Sequence, residues 1–493
     1  MSQIKISNLS FTYEGSYIPV FEHVSLQLDS NWKLGFTGRN GRGKTTFLKL
    51  LAGEYVYTGS ISASIQFSYF PFTITEPYTL VLELLEELAP TAEQWQIRKE
   101  LSLLDLDETI FYRPFATLSP GEQTKVQLAA LFLKETHFLL IDEPTNHLDQ
   151  KGRQIVSNYL NSKKGFILVS HDRVFLDGCI DHVLNINKTN IELQEGNFSS
   201  WYENKQRQEQ YEYTQNERLR KEIGRLKETA REKAAWSDKV ERSKIGNHVY
   251  DRGYVGHKAE KMMKRSKALA QRQQKAIQEK SALLKNMERA DNLKLTSLPP
   301  PSNRLVTLRD VQILYNDKPA NQPITFDILA GERVALQGVN GCGKSSILKL
   351  IYGEPLSFTG TMKRNHHLKI SYISQTSEHL RGTLQEHAYQ QQIDLSQFMT
   401  ILSKLDFSRV QMEQPIESYS MGQKKKVLLA SSLCQQSHLY IWDEPLNYID
   451  IYSRVQLEEV ILQFKPTMLF VEHDRQFTEN IATKIVHFKQ YFY

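Results

Sequence analysis

The residues of this 493-residue chain best placed to do chemistry begin at "GRNGRGKTT". Gly38, Gly43, Lys44 and Thr45 fill the pattern G-x-x-x-x-G-K-[ST]. Glycines there let backbone N–H groups wrap phosphates, the lysine reaches the outer phosphates, and the hydroxyl is offered to Mg²⁺. Asn40, Gly41 and Thr46 are assigned to the same nucleotide loop. Further on, "FATLSPGEQ" sets Ser119 and Gly121 at the mouth of a helix, where unpaired N–H groups suit an anion. "THFLLIDEPTNHLD" ends an apolar strand in Asp142 and Glu143. The first carboxylate can hold Mg²⁺ through water, and the second can polarise an attacking water. "GFILVSHD" then presents His171 at the end of another buried strand. Taken singly, the helix mouth is a capped helix start and the histidine is structural. Their order along the chain points instead to phosphoryl chemistry.

The same order recurs about 300 residues later, as an internal repeat. "GVNGCGKSS" supplies Gly338, Asn340, Gly341, Gly343, Lys344, Ser345 and Ser346; "ESYSMGQ" supplies Ser420 and Gly422. "HLYIWDEPLNYID" supplies Asp443 and Glu444, and "TMLFVEHD" supplies His473. Lys44 and Glu143 lie 99 positions apart, Lys344 and Glu444 100. The chain therefore holds two copies of one nucleotide-binding domain.

The elements that must position these residues are of the α/β class. Each half opens on alternating strands such as "IKISNLSFTY" and "FEHVSLQLD", which read as an antiparallel β subdomain, ahead of an apolar strand, the phosphate loop and an amphipathic helix. The expected divisions are 1–200, 201–300 and 301–493. The middle segment is rich in Glu, Lys, Arg, Gln and Ala and free of proline until Pro299. Leu219, Ile223, Leu226 and Ala230 recur at helical spacing, as do Leu269, Ala276, Leu283 and Met287. Gly246, Gly253 and Gly256 bracket a break, so the segment reads as a long helical hairpin with its tip near 245–257. Between 201 and 295 stand 24 Lys+Arg against 14 Asp+Glu, a net +10 where the whole chain carries +5. Such a basic finger suits a phosphate backbone, or is simply a solvated coiled coil.

Composition narrows the rest. No apolar run approaches a bilayer span, and the first residues lack a signal core. Cys179, Cys342 and Cys434 stand far apart, which supports neither a disulfide framework nor a cysteine metal cluster. A cytoplasmic, monomeric protein without membrane or DNA partners is expected.

Across nearly the whole chain outside the middle segment, these motifs resemble the ATP-binding-cassette ATPases. "LSPGEQ" is similar to that family's signature, "IDEPTNHLD" to its Walker B and D-loop, and "SHD" to its switch. The resemblance implies ATP and Mg²⁺ as cofactors and a head-to-tail sandwich with two composite sites. Site one would join Lys44, Thr45, Asp142, Glu143 and His171 to Ser420 and Gly422. Site two would join Lys344, Ser345, Asp443, Glu444 and His473 to Ser119 and Gly121. Glu143, Glu444, His171 and His473 would be catalytic. Thr45, Ser345 and Gln375 would hold the metal, with Asp142 and Asp443 acting through water. Tyr13 and Tyr315 lie where the family's A-loop aromatic stacks on adenine.

Two cassettes with a charged hairpin between them are similar to the ABC-F translation ATPases, and most of all to their Lsa-type antibiotic-resistance branch. That resemblance implies a 70S ribosome partner, contacted through 23S rRNA and the P-site tRNA. It further implies displacement of lincosamides, pleuromutilins or group A streptogramins, with Lys244, Val249, Tyr250 and Tyr254 at the tip. The rivals are a housekeeping ABC-F factor, the tandem ATPase subunit of a transporter, which leaves the hairpin unexplained, and a DNA-repair or chromosome-type ATPase, whose family carries its coil inside one cassette rather than between two. Two departures stand out. Gln375 occupies the family's Q-loop position, but Phe72 takes its place in the first half, so slower hydrolysis is expected at site one. Pro120 and Met421 replace the first signature glycine.

Overall fold

The computed structural model describes residues 3–15, 19–134, 137–146, 148–187, 190–242, 271, 275, 293–316 and 318–488. It divides into a body, Met1–Trp201 with Ala290–Tyr493, and a second unit, Tyr202–Arg289.

In the first half of the body the strands are β1 (Gln3–Phe11), β2 (Phe21–Asp29), β3 (Lys33–Thr37), β4 (Thr58–Ser62), β5 (Gln66–Phe70), β6 (His137–Asp142), β7 (Phe166–Val169), β8 (His182–Ile186) and β9 (Ile191–Glu195). They form an antiparallel sheet β2-β1-β4 and a six-stranded sheet β5-β6-β7-β3-β8-β9, parallel except for the last pair. Alternation in β1, interrupted by a register shift between Ile6 and Leu9, turns Ile4, Ile6 and Leu9 into the core shared with Phe47 and Leu48 of the helix Lys44–Leu51. The central strand β7, by contrast, is buried along its whole length and is apolar throughout, as a parallel strand covered on both faces must be.

The second half repeats the plan with β10 (Arg304–Tyr315), β11 (Lys318–Pro319), β12 (Ile324–Leu329), β13 (Arg333–Gln337), β14 (Phe358–Arg364), β15 (Ile370–Ile373), β16 (Leu439–Asp443), β17 (Met468–Val471) and β18 (Lys484–His487). The antiparallel sheet centres on β10, and the parallel one runs β15-β16-β17-β13-β18. Leu293 and Leu295 are buried in this half's helical core, so the chain joins it before the prolines at 299–301.

In both halves the phosphate loop, the acidic pair and the histidine leave the carboxyl ends of neighbouring parallel strands, where open α/β sheets place their ligands. The two helices that follow the signatures, Pro120–Phe132 and Met421–Cys434, begin with reciprocal capping boxes: Ser119 with Glu122 and Ser420 with Gln423.

A single helix, Phe198–Arg242, runs over 45 residues, its first turn belonging to the body and the rest to the second unit. Phe198 and Trp201 anchor its first turn in the body, with ring centroids 5.4 Å apart. Beyond them its described surface carries spaced polar pairs, among them Arg207 with Glu203 and Tyr213 with Glu217. Lys244, Val249, Tyr250 and Tyr254 lie outside the described residues, as does nearly all of the returning arm. Among the described residues no helix is long and apolar enough to cross a membrane.

Candidate active site

Each phosphate loop is built in the same way. Gly43 and Gly343 adopt left-handed backbone angles, φ 93° and 89°, as they turn the loop into its helix. Lys44 Nζ folds back to donate to the carbonyls of Gly38 and Arg39 at 2.7 and 3.2 Å. Lys344 Nζ donates to Gly338 and Val339 at 2.8 and 2.9 Å. The Thr45 hydroxyl donates to Asp142 Oδ2 at 2.6 Å, and Ser345 to Asp443 Oδ1 at 3.0 Å. The Asp443 Oδ2 is buried without a hydrogen-bond partner. A hydroxyl beside buried carboxylate oxygen is the donor set a hard divalent cation takes, so these residues fit Mg²⁺. The tyrosines sit at the loop helices. Tyr13 and Tyr315 are 42% and 49% exposed, and their hydroxyls meet Thr46 and Ser346 at 2.6 and 3.0 Å. Each is thus tied at its polar end and remains partly exposed.

The two carboxylates that follow differ sharply. Glu143 and Glu444 both take left-handed backbone angles, φ 51° and 47°. Each is pinned by its own N–H, which donates to Val169 and Val471 respectively. Each faces its histidine, His171 at 3.3 Å and His473 at 3.4 Å. Glu444 Oε2 also accepts from Gln375 Nε2 at 3.1 Å and Asn447 Nδ2 at 2.9 Å. In the first half Phe72 stands at the glutamine position and offers no donor, and Glu143 Oε1 is buried without a hydrogen bond. Burial, reinforced by the Asp142 charge, pushes Glu143 up to about 8. Burial also pushes Glu444 up, but His473, Gln375 and Asn447 outweigh it and hold that carboxyl at about 2.

The structure brings the halves together at site one. Asn40 Nδ2 donates to the Tyr448 carbonyl at 2.7 Å, and Gly422 is buried beside both: a Cβ built there would lie 2.6 Å from Tyr448 O and 3.1 Å from Asn40 Nδ2. Arg39 and Arg42 each reach Asp406 at 3.7 Å, and the Arg39 guanidinium lies 5.6 Å from the centre of the Tyr452 ring. The phosphate loop of half one therefore faces the signature and the following acidic loop of half two. Site two is built with different side chains. Val339 and Cys342 stand where Arg39 and Arg42 stand, and Asp105, the counterpart of Asp406, pairs instead with exposed Lys151 at 2.8 Å.

Comparison with known proteins fits this geometry. A family model described as "ABC transporter" matches residues 21–146 and 321–447. The chain is 26% identical over 491 residues to "Ribosome protection protein VmlR" of Bacillus subtilis, covering 97% of this chain and 85% of that one. It is 25% identical to "ABC transporter F family member 2" of Arabidopsis thaliana, covering 98% and 76%. It is 28% identical to "ATP-binding protein Uup" of Caulobacter vibrioides, covering 95% and 74%. The chain belongs to the ABC-F family of ATP-binding-cassette proteins. It is accordingly an ATPase. The fold is shared with the archaeal ribosome recycling factor aABCE1, solved with the stalk protein aP1, at TM-score 0.63 and 19% identity over 98% of this chain and 88% of that one.

In this ABC-F ATPase the structure adds residues that the motifs did not single out. The Tyr69 hydroxyl donates to Asp142 Oδ2 at 3.0 Å, beside the Thr45 bond. Its counterpart Tyr372 stacks on Tyr352, 4.7 Å between centroids, and its hydroxyl is buried without a partner. Asn447 and Tyr448, outside the signature and the acidic pair, contact the base of site two and the loop of site one respectively. Strand periodicity places Tyr69 on β5 but gives no register against β6, and register decides which side chain meets Asp142.

Proposed function

We propose that this ABC-F ATPase binds the ribosome in its ATP-loaded state and protects it from antibiotics of the peptidyl-transferase centre by inserting the basic segment 201–300 near the P-site tRNA and 23S rRNA. The observation that carries this reading is the likeness to a ribosome protection protein along 97% of the chain, including the segment between the cassettes where net charge reaches +10. A basic helical element of that size engages phosphate backbone, and aromatics at a tip stack on unpaired RNA bases. The equal likeness to relatives named only as ATP-binding proteins favours, as second reading, an ABC-F factor that binds ribosomes without displacing drug.

In this reading Glu143 and Glu444 orient and deprotonate the attacking water, and His171 and His473 hold them in place. Lys44 and Lys344 leave their loop carbonyls for the phosphates, and Ser420, Gly422, Ser119 and Gly121 close over them. Thr45, Ser345 and Gln375, with Asp142 and Asp443 through water, would hold Mg²⁺, which neutralises phosphate charge when bound. Tyr13 and Tyr315, both partly exposed, stack on adenine.

Co-sedimentation of the Glu143→Gln/Glu444→Gln chain with ribosomes, with and without ATP, tests the proposal. ATP-dependent capture with release of bound lincosamide or pleuromutilin is the expected result. Capture without release selects the second reading, and no capture overturns both. At the tip, Tyr250→Ala and Tyr254→Ala are expected to reduce protection; unchanged protection in both removes those rings from the mechanism.

A further inference from the structure

The helix Met421–Cys434 touches both ATP sites, and one buried lysine makes the second contact. Its N-terminal turn, capped by Ser420, presents Gly422 to Asn40 at site one. Three residues past Gly422, about 4.5 Å along the axis, Lys425 points into the protein at 1% exposure. Its Nζ donates to the Ser374 carbonyl and to the Glu444 carbonyl, both at 3.1 Å. These two carbonyls flank the Gln375–Glu444 side-chain bond of site two. Burial pushes the Lys425 ammonium down, and the carboxylates of Glu472, Asp443 and Glu444 around it offset part of that cost. Half one has no such tie. Thr124 holds the equivalent position, and its hydroxyl turns back to the Pro120 carbonyl of its own helix.

We infer that Lys425 is a positioning residue: it fastens the helix that closes site one to the glutamine–glutamate pair that activates water at site two. Movement of the Met421–Cys434 helix when nucleotide fills site one is delivered, one turn away, to the backbone on either side of Gln375 and Glu444. The tie exists in half two alone, so occupancy of site one sets the geometry of site two by a route that the opposite direction lacks. A helix is rigid over a single turn, and a buried lysine with two carbonyl acceptors cannot lose one of them without leaving an unpaired donor.

The test reads coupling between sites. With Glu143→Gln, site one loads ATP without turning it over; adding Lys44→Ala empties it. The ratio of site-two turnover between these two backgrounds measures what loading of site one does. A ratio of about tenfold is expected with Lys425 present, a size ordinary for coupled sites. In chains carrying Lys425→Met it should fall below about twofold, with KM at site two within about twofold of its original value. Lys425→Arg, which keeps charge and donors, should restore most of the ratio. Equal loss of turnover in both backgrounds, leaving the ratio unchanged, overturns the inference, because that is the signature of general structural damage. A ratio near one with Lys425 present overturns it too. If thermal melting shows that Lys425→Met does not fold, Lys425→Gln is read in its place by the same criteria.

Discussion

The Arg173 guanidinium of half one pairs with the Glu458 carboxylate of half two, and both side chains are less than a tenth exposed. The repeat-related positions cannot form this pair: Arg475 bonds to Glu479 on the surface, and Ser157 replaces the glutamate. Arg39 and Arg42 of half one likewise reach Asp406 of half two. Removing one member of a buried pair strands the other. Arg173→Ala is expected to lower stability by about 3–5 kcal/mol, whereas the apolar double replacement Arg173→Met/Glu458→Leu should be near neutral. Urea unfolding of the two chains decides between these outcomes. A double variant as unstable as the single one would mean that the contact depends on charge rather than packing.

The two bases should titrate apart. Glu143 stands at about 8 against an ordinary 4.5, so the fold favours its protonated form. It therefore contributes stability below about 4.5 that is lost as pH rises towards 8. Glu444, held at about 2, contributes stability above 4.5 that is lost as pH falls towards 2. Function should follow protonation. With Glu444→Gln, leaving site one active, turnover is expected to climb from pH 6 to about 8.5. With Glu143→Gln, leaving site two active, it should be flat over the same interval. Coincident profiles would show that nucleotide binding erases the difference.

Phe72 supplies a more direct handle on site one. An apolar ring cannot donate to Glu143 as Gln375 donates to Glu444 Oε2. In the Glu444→Gln background, Phe72→Gln is expected to raise single-turnover hydrolysis by about three- to tenfold and to move its pH midpoint downwards. No gain would place the slow step elsewhere than the water-activating carboxylate.

Sequence and structure agree most closely where local chemistry decides. The glycine spacing, the acidic pair after an apolar strand and the 300-residue repeat require no knowledge of tertiary contacts, and the capping boxes at Ser119 and Ser420 are legible from Glu122 and Gln423 three residues on. What escaped was decided by approach between distant elements. Asn40 reads as a phosphate-loop residue, yet its amide spans 408 positions to reach the Tyr448 carbonyl. Lys425 reads as one cation in "KKK", and only the fold shows it turned inward between Ser374 and Glu444. The difference between the sites was half legible: Phe72 announced the missing donor, but the pairing of Arg39 and Arg42 with Asp406 depends on docking that no periodicity encodes.

Gly422 offers the sharpest test of that docking. A Cβ at this position would lie 2.6 Å from the Tyr448 carbonyl, a backbone atom that cannot swing aside as a side chain can. Tyr448 already holds a left-handed conformation, φ 65°, and its carbonyl accepts from Asn40. Gly422→Ala must therefore push half two's signature away from half one's phosphate loop or break the Asn40 bond. Overpacking of this kind costs about 1–3 kcal/mol. That corresponds to a loss of roughly 5- to 150-fold in ATP affinity or turnover at site one. Measured in the Glu444→Gln background, where only site one is active, the loss should appear in full. In the Glu143→Gln background, site-two ATP affinity should hold within about twofold, because Gly422 does not face that nucleotide. Full site-one activity in Gly422→Ala would mean that the halves separate at this contact during turnover, and that the Asn40–Tyr448 bond belongs to the nucleotide-free state alone.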